Sequence, residues 1–155
     1  QTWQRVALAL DGAHNMSHNY DLDPERVYVA GYSGGGRVGS ALALLFPETF
    51  RGGLFLYGVD FYRRVPIPDR PGSDWLPWFP TPSRAALERL RETTRLVLVT
   101  GERDFNRMQV RTFAERYREE GFEHLTYIEI PGASHYDWPS RRWLEEAFTA
   151  LDGAD

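Results

Sequence analysis

The stretch Gly31-Tyr32-Ser33-Gly34-Gly35 constrains this chain more than any other. The apolar run Arg26-Val27-Tyr28-Val29-Ala30 precedes it, and a helical pattern from Arg37 to Phe46 follows. A strand entering G-x-S-x-G and a helix leaving it form the context of a nucleophile elbow. The turn between them is tight and strained, and glycines without Cβ leave room for the two backbones. Such a turn lifts the serine hydroxyl above the sheet edge. It also aims the first N–H groups of the helix at whatever meets that hydroxyl. The plainer account, a glycine-rich turn with an incidental serine, leaves the flanking strand and helix unexplained.

A serine so placed needs a base and an acid, and two later strands offer them. Arg95-Leu96-Val97-Leu98-Val99-Thr100 is β-branched and ends in Gly101-Glu102-Arg103-Asp104. Leu125-Thr126-Tyr127-Ile128-Glu129-Ile130 alternates at period two and ends in Pro131-Gly132-Ala133-Ser134-His135. Asp104 and His135 thus follow strand ends, as Ser33 does. In an open parallel sheet these ends share one edge, where ligands bind. An imidazole accepts protons near neutral pH and suits the base that activates a hydroxyl. Asp104 would hold that imidazole in the productive tautomer. Asp60, which follows an earlier strand, is the alternative acid, with Asp137 and Glu102 behind it. The backbone N–H of Gly34 would be one oxyanion donor.

These motifs resemble the α/β-hydrolase superfamily, whose triad runs Ser, Asp, His along the chain. Asp23-Pro24-Glu25-Arg26-Val27-Tyr28-Val29 is similar to the lead-in of secreted esterases of the polyhydroxybutyrate-depolymerase and feruloyl-esterase type. The resemblance runs from Asp21 to Leu151. It implies a serine hydrolase that cleaves a carboxylic ester through an acyl-enzyme, with Ser33, Asp104 and His135 as catalytic residues and no cofactor. A serine peptidase of the prolyl-oligopeptidase sort shares the triad order and is one alternative. An incomplete, non-catalytic fragment acting in binding is the other. The family's sheet has about eight strands, and the pattern here gives four. The chain is therefore expected to be the C-terminal portion of such a domain, lacking the N-terminal strands and the loop with the second oxyanion donor. A missing segment or partner chain is expected to cover the sheet edge.

Helical spacing predicts a first helix over Thr2–Asn19 and others after Thr81, after Asn106 and after Ser140. Thr81 reads as an N-cap with Pro82 at the first helical position. Gly121 reads as a C-terminal cap on which Phe122 folds back. Helices of crossover length between strands predict one α/β domain over residues 1–155, with a mostly parallel sheet.

Residues 60–80 are an excursion holding Phe61, Tyr62, Trp75, Trp78 and Phe79 among several prolines. Two accounts stay open. In one the segment is a small cap in which Trp78 binds substrate. In the other its aromatics pack on the core. Tyr32 likewise either lines the pocket or packs under the elbow. Arg63 and Arg64 could meet an anion or simply be solvated.

At 155 residues the chain can bury a real core. Its net charge of −4, with 18 basic residues that are all arginine, gives no reason to expect nucleic acid. The absence of cysteine excludes disulfides and thiolate metal sites and leaves the compartment undetermined. No apolar run approaches the roughly 18 residues of a membrane helix. Asp11, His14 and His18 on the first helix lack the H-E-x-x-H pattern, so no metal site is assigned. Gly34-Gly35-Gly36 has no lysine after it and is no phosphate loop.

Overall fold

A computed structural model describes residues 2–153. Four strands form one sheet: β1 (Val29–Tyr32), β2 (Gly52–Leu56), β5 (Arg95–Arg103) and β6 (Leu125–Ser134). Their spatial order is β1-β2-β5-β6, and every pairing is parallel. Two short strands, β3 (Val65–Pro66) and β4 (Asp74–Trp75), pair antiparallel within the excursion. Among the described residues the helices are α1 (Thr2–Asn19), α2 (Gly34–Leu45), α3 (Arg84–Thr93), α4 (Arg107–Glu119) and α5 (Arg141–Asp152). None is long and apolar enough to cross a membrane.

The strands carry apolar residues on both faces, as a sheet covered on both sides requires. Phe55, Leu96 and Leu98 face one way and pack with Ala41 and Leu44 of α2, Leu90 of α3, and Val110 and Phe113 of α4. Leu54, Leu56, Val97, Val99 and Ile128 face the other way and meet Ala147 and Leu151 of α5. Burying each large apolar side chain contributes roughly 1.5–3 kcal/mol. A third cluster joins Val6 of α1 to Val38 and Leu42 of α2 and to Phe50.

Several boundaries differ from expectation. The strand before Ser33 starts at Val29, because Asp23 accepts from the Glu25 N–H and caps a 3-10 turn over Pro24–Arg26. Helix α2 begins at Gly34, directly after the serine, and not at Arg37. The cap of α3 is Ser83, whose side chain accepts from the Ala86 N–H at 3.2 Å. Thr81 instead donates its hydroxyl to the Tyr62 carbonyl at 2.9 Å. At the end of α4 the Phe122 N–H donates to the Tyr117 carbonyl, and the two rings meet edge to face.

The excursion lies on the core. Phe61, Tyr62 and Phe79 are buried, and Trp75 packs edge-on against Phe113. Its hairpin also reaches the sheet's C-terminal edge. Ile67, Asp69, Arg70 and Trp75 form one wall of a groove of about 380 Å³, with Arg37 and Phe105 across from them.

Candidate active site

Ser33 sits between β1 and α2 at φ 51°, ψ −115°. Serine rarely adopts this conformation, and holding it costs on the order of 1–3 kcal/mol. The surroundings fix it. The Ser33 N–H donates to the Leu56 carbonyl at 2.7 Å, and its own carbonyl accepts from the Arg37 N–H at 3.2 Å. A Cβ on Gly31 would lie 2.3 Å from the Gly35 backbone, so glycine is required there. The second glycine of the motif is different: a Cβ on Gly35 would meet nothing within 4 Å. The close approach falls one residue later, at Gly36. Gly34 opens α2, where a backbone N–H has no partner within the helix.

Parallel pairing carries β5 and β6 past their expected ends. A register shift between Gly101 and Arg103 lets pairing resume at Arg103 and Ser134. Asp104 and His135 leave these strands side by side. The His135 Nδ1 lies 2.8 Å from Asp104 Oδ1, and its Nε2 lies 3.0 Å from Ser33 Oγ. With a proton on Nδ1 facing the carboxylate, Nε2 is the acceptor for the serine hydroxyl. Three residues distant in sequence thus meet at one edge.

The Asp104 side chain is fully buried, and both of its oxygens accept hydrogen bonds. Thr100 Oγ1 donates to Oδ2 at 2.7 Å, and the Asn106 N–H donates to Oδ1 at 3.0 Å. Thr100 and Asn106 were not singled out from sequence. A threonine four residues before Asp104, within the same strand run, is the available signal.

Asp60 is occupied elsewhere. It accepts from Arg37 Nη1 at 2.7 Å. Burial pushes its carboxyl above the ordinary range, and the Arg37 charge opposes that rise. Arg37 also donates to the Gln109 side chain. Glu102 accepts from the Gly132 N–H, and Asp137 accepts from Ser134. Arg63 and Arg64 pair with Glu120 and Asp74.

Tyr32 packs beside the Ser33 turn, with its ring against Tyr57, His135 and Trp138. Trp78 is half-buried between Trp3 and Phe79, next to the cluster of α1 and α2. The Phe105 ring lies tilted against that of His135, with centroids 4.1 Å apart. His14 and His18 stack on each other along α1.

No protein-family model matches the chain, and no curated protein does so. Solved structures do. Zea mays acyl-protein thioesterase 2 superposes with a TM-score of 0.66 at 19% identity, covering 98% of this chain and 65% of that one. Arabidopsis thaliana SOBER1 gives 0.60 at 20% identity, covering 98% of this chain and 63% of its own. The enterobactin esterase FES from Shigella flexneri gives 0.55 at 22% identity, covering 96% and 36%. The chain therefore spans less than two thirds of the length of the proteins it matches. With a parallel sheet clad by helices on both faces and these superpositions, the chain has the α/β-hydrolase fold.

Proposed function

We propose that this chain carries the catalytic residues of a serine hydrolase that cleaves a carboxylic ester through an acyl-enzyme. The observation that carries the reading is the hydrogen-bonded line Asp104–His135–Ser33, with spacings of 2.8 and 3.0 Å. Ser33 Oγ attacks the carbonyl carbon while His135 Nε2 takes its proton. Asp104 holds the imidazole by Nδ1 and stabilises the imidazolium. The Gly34 N–H at the start of α2 donates to the developing oxyanion, a contact typically worth a few kcal/mol. His135 then returns the proton to the leaving alcohol. A water, deprotonated by the same imidazole, releases the acid and restores Ser33. Solved proteins of this fold named as esterases and thioesterases lend support, since both move an acyl group to water.

The test is labelling with a fluorophosphonate probe, followed by p-nitrophenyl ester turnover. Wild type is expected to label once, at Ser33, and Ser33→Ala to lose both label and turnover. A Ser33→Ala variant that retains wild-type turnover overturns the reading. Cleavage of peptides with no ester turnover would favour the peptidase alternative.

A further inference from the structure

We propose that Tyr32 and Tyr57 are positioning residues for His135, their two hydroxyls latching the loop that carries the imidazole. The proposal rests on the reading of His135 as the general base. Tyr32 Oη donates to the backbone carbonyl of His135 itself. Tyr57 Oη donates to the backbone carbonyl of Asp137 at 2.6 Å. Within the loop, the Ser134 N–H and hydroxyl both donate to Asp137 Oδ2 at 2.7 Å. The segment is thus tied to itself between Ser134 and Asp137 and to the ends of β1 and β2 by one hydroxyl each.

The loop has need of such ties. Strand β6 ends at Ser134 and α5 begins only at Arg141. Between them Tyr136 and Trp138 are 84% and 66% exposed, so the loop's outer side gains little from packing. Its inner side rests on the two tyrosine rings, whose centroids lie 5.5 and 5.8 Å from that of the imidazole. A loop anchored on one side holds its side chain only as well as those anchors hold its backbone. A misplacement of about 1 Å at a reacting group can cost on the order of 100-fold in rate.

Tyr57 carries a second mark. Among the described residues, Ser33 and Tyr57 alone are non-glycine residues at positive φ, Tyr57 at 58°. They are neighbours, because Tyr32 pairs with Leu56 in the β1–β2 register. Backbone strain of this kind persists where surrounding contacts over-determine it, and it concentrates at functional sites. Here the contacts are visible: the Tyr57 N–H donates to the Val99 carbonyl, and its carbonyl accepts from Asn106 Nδ2. Burial pushes the Tyr57 phenol up to about 12 and raises that of Tyr32, so both remain donors at neutral pH.

The experiment compares Tyr32→Phe, Tyr57→Phe and the double variant, each change removing one oxygen and keeping the ring. Two readouts are taken: kcat and KM on a p-nitrophenyl ester, and the downfield proton NMR resonance of the His135 Nδ1–H facing Asp104. Each single change is expected to lower kcat about tenfold with KM nearly unchanged, and to broaden the resonance while the melting temperature holds. Wild-type kcat with an unchanged resonance overturns the latch. So does a loss of activity that only follows the unfolded fraction, or a rise in KM alone, which would make Tyr32 a pocket wall. A wild type that cleaves no ester, with a resonance that still broadens in the variants, keeps the latch and removes the hydrolase reading.

Discussion

Gly36 and Gly58 pack backbone to backbone: a Cβ on Gly36 would lie 2.1 Å from the Gly58 carbonyl oxygen. Gly58 is itself pressed against Ser33, where a Cβ would lie 2.4 Å from the Ser33 carbonyl oxygen. The first turn of α2 and the exit of β2 are thereby locked to the serine turn. Gly36→Ala is expected to cost about 3 kcal/mol or more, since the obstacle is backbone and cannot swing aside. Gly35→Ala, with open space at its Cβ and a helical backbone, is expected to be neutral or to stabilise by roughly 0.5–1 kcal/mol. Denaturant melts of the two variants check this. Equal losses would mean that the motif glycine carries the constraint.

Asp104 and Asp60 are expected to separate cleanly. Asp104→Asn should lower kcat on the order of 10⁴-fold by spoiling the imidazole tautomer. Asp60→Asn should leave kcat within about tenfold and lower stability instead. It leaves the partly buried Arg37 charge without its carboxylate, at a cost of about 1–3 kcal/mol once the exposure of Arg37 is allowed for. Kinetics and melts on both variants decide it. A crippling Asp60→Asn with a mild Asp104→Asn would exchange their roles.

Asp137 gives a pH signature. The Ser134 backbone N–H and hydroxyl hold its carboxyl below the ordinary 3.8. The folded chain therefore binds fewer protons there than the unfolded chain does. That contribution to stability is complete above the ordinary value and disappears as pH falls through the lower folded one. In melting curves, the gap between wild type and Asp137→Asn is expected to be constant from neutral pH to about pH 5 and to close in stronger acid. A gap that widens in acid would contradict the assignment.

Strand β1 stands at one edge of the sheet, and its Ala30 is exposed. Beside it runs a groove of about 620 Å³ lined by Ala9, Ala13, Met16, Val27 and Val29. An open strand edge next to apolar surface invites pairing with another chain. The 155-residue chain is expected to associate as its concentration rises, and Ala30→Lys to suppress this. Light scattering across a concentration series checks it, and a wild type that stays monomeric throughout would contradict it.

How far the site could be read from sequence depended on which signals were local. The Gly31–Gly35 turn and the strands that lead to Ser33, Asp104 and His135 follow from turn chemistry and periodicity, whereas grouping those three residues in that order rests on the family resemblance. The lengths of β5 and β6 do not, because Gly101 and Pro131-Gly132 look like strand ends. A register shift absorbs the irregularity, and pairing continues to Arg103 and Ser134. Thr81-Pro82 resembles a helix start as closely as Ser83 does, and only the hydrogen bond to Ala86 separates them. The motif points to Gly35, whereas packing selects Gly36, because the constraint comes from Gly58, just past the end of β2. Tyr57 was invisible for a similar reason. Nothing in Leu54-Phe55-Leu56-Tyr57 distinguishes a strained terminal tyrosine from one more core residue.

The line from Ser33 to His135 spans 102 positions in the chain, with Asp104 between them. Closing so long a loop is slow, and contacts between distant segments form late in folding. The three groups can meet only after β6 has docked on β5. A nascent or partly unfolded chain would therefore hold Ser33 with no imidazole beside it. Reactivity at Ser33 would report that docking, since it would return with the β5–β6 pairing rather than with helix content.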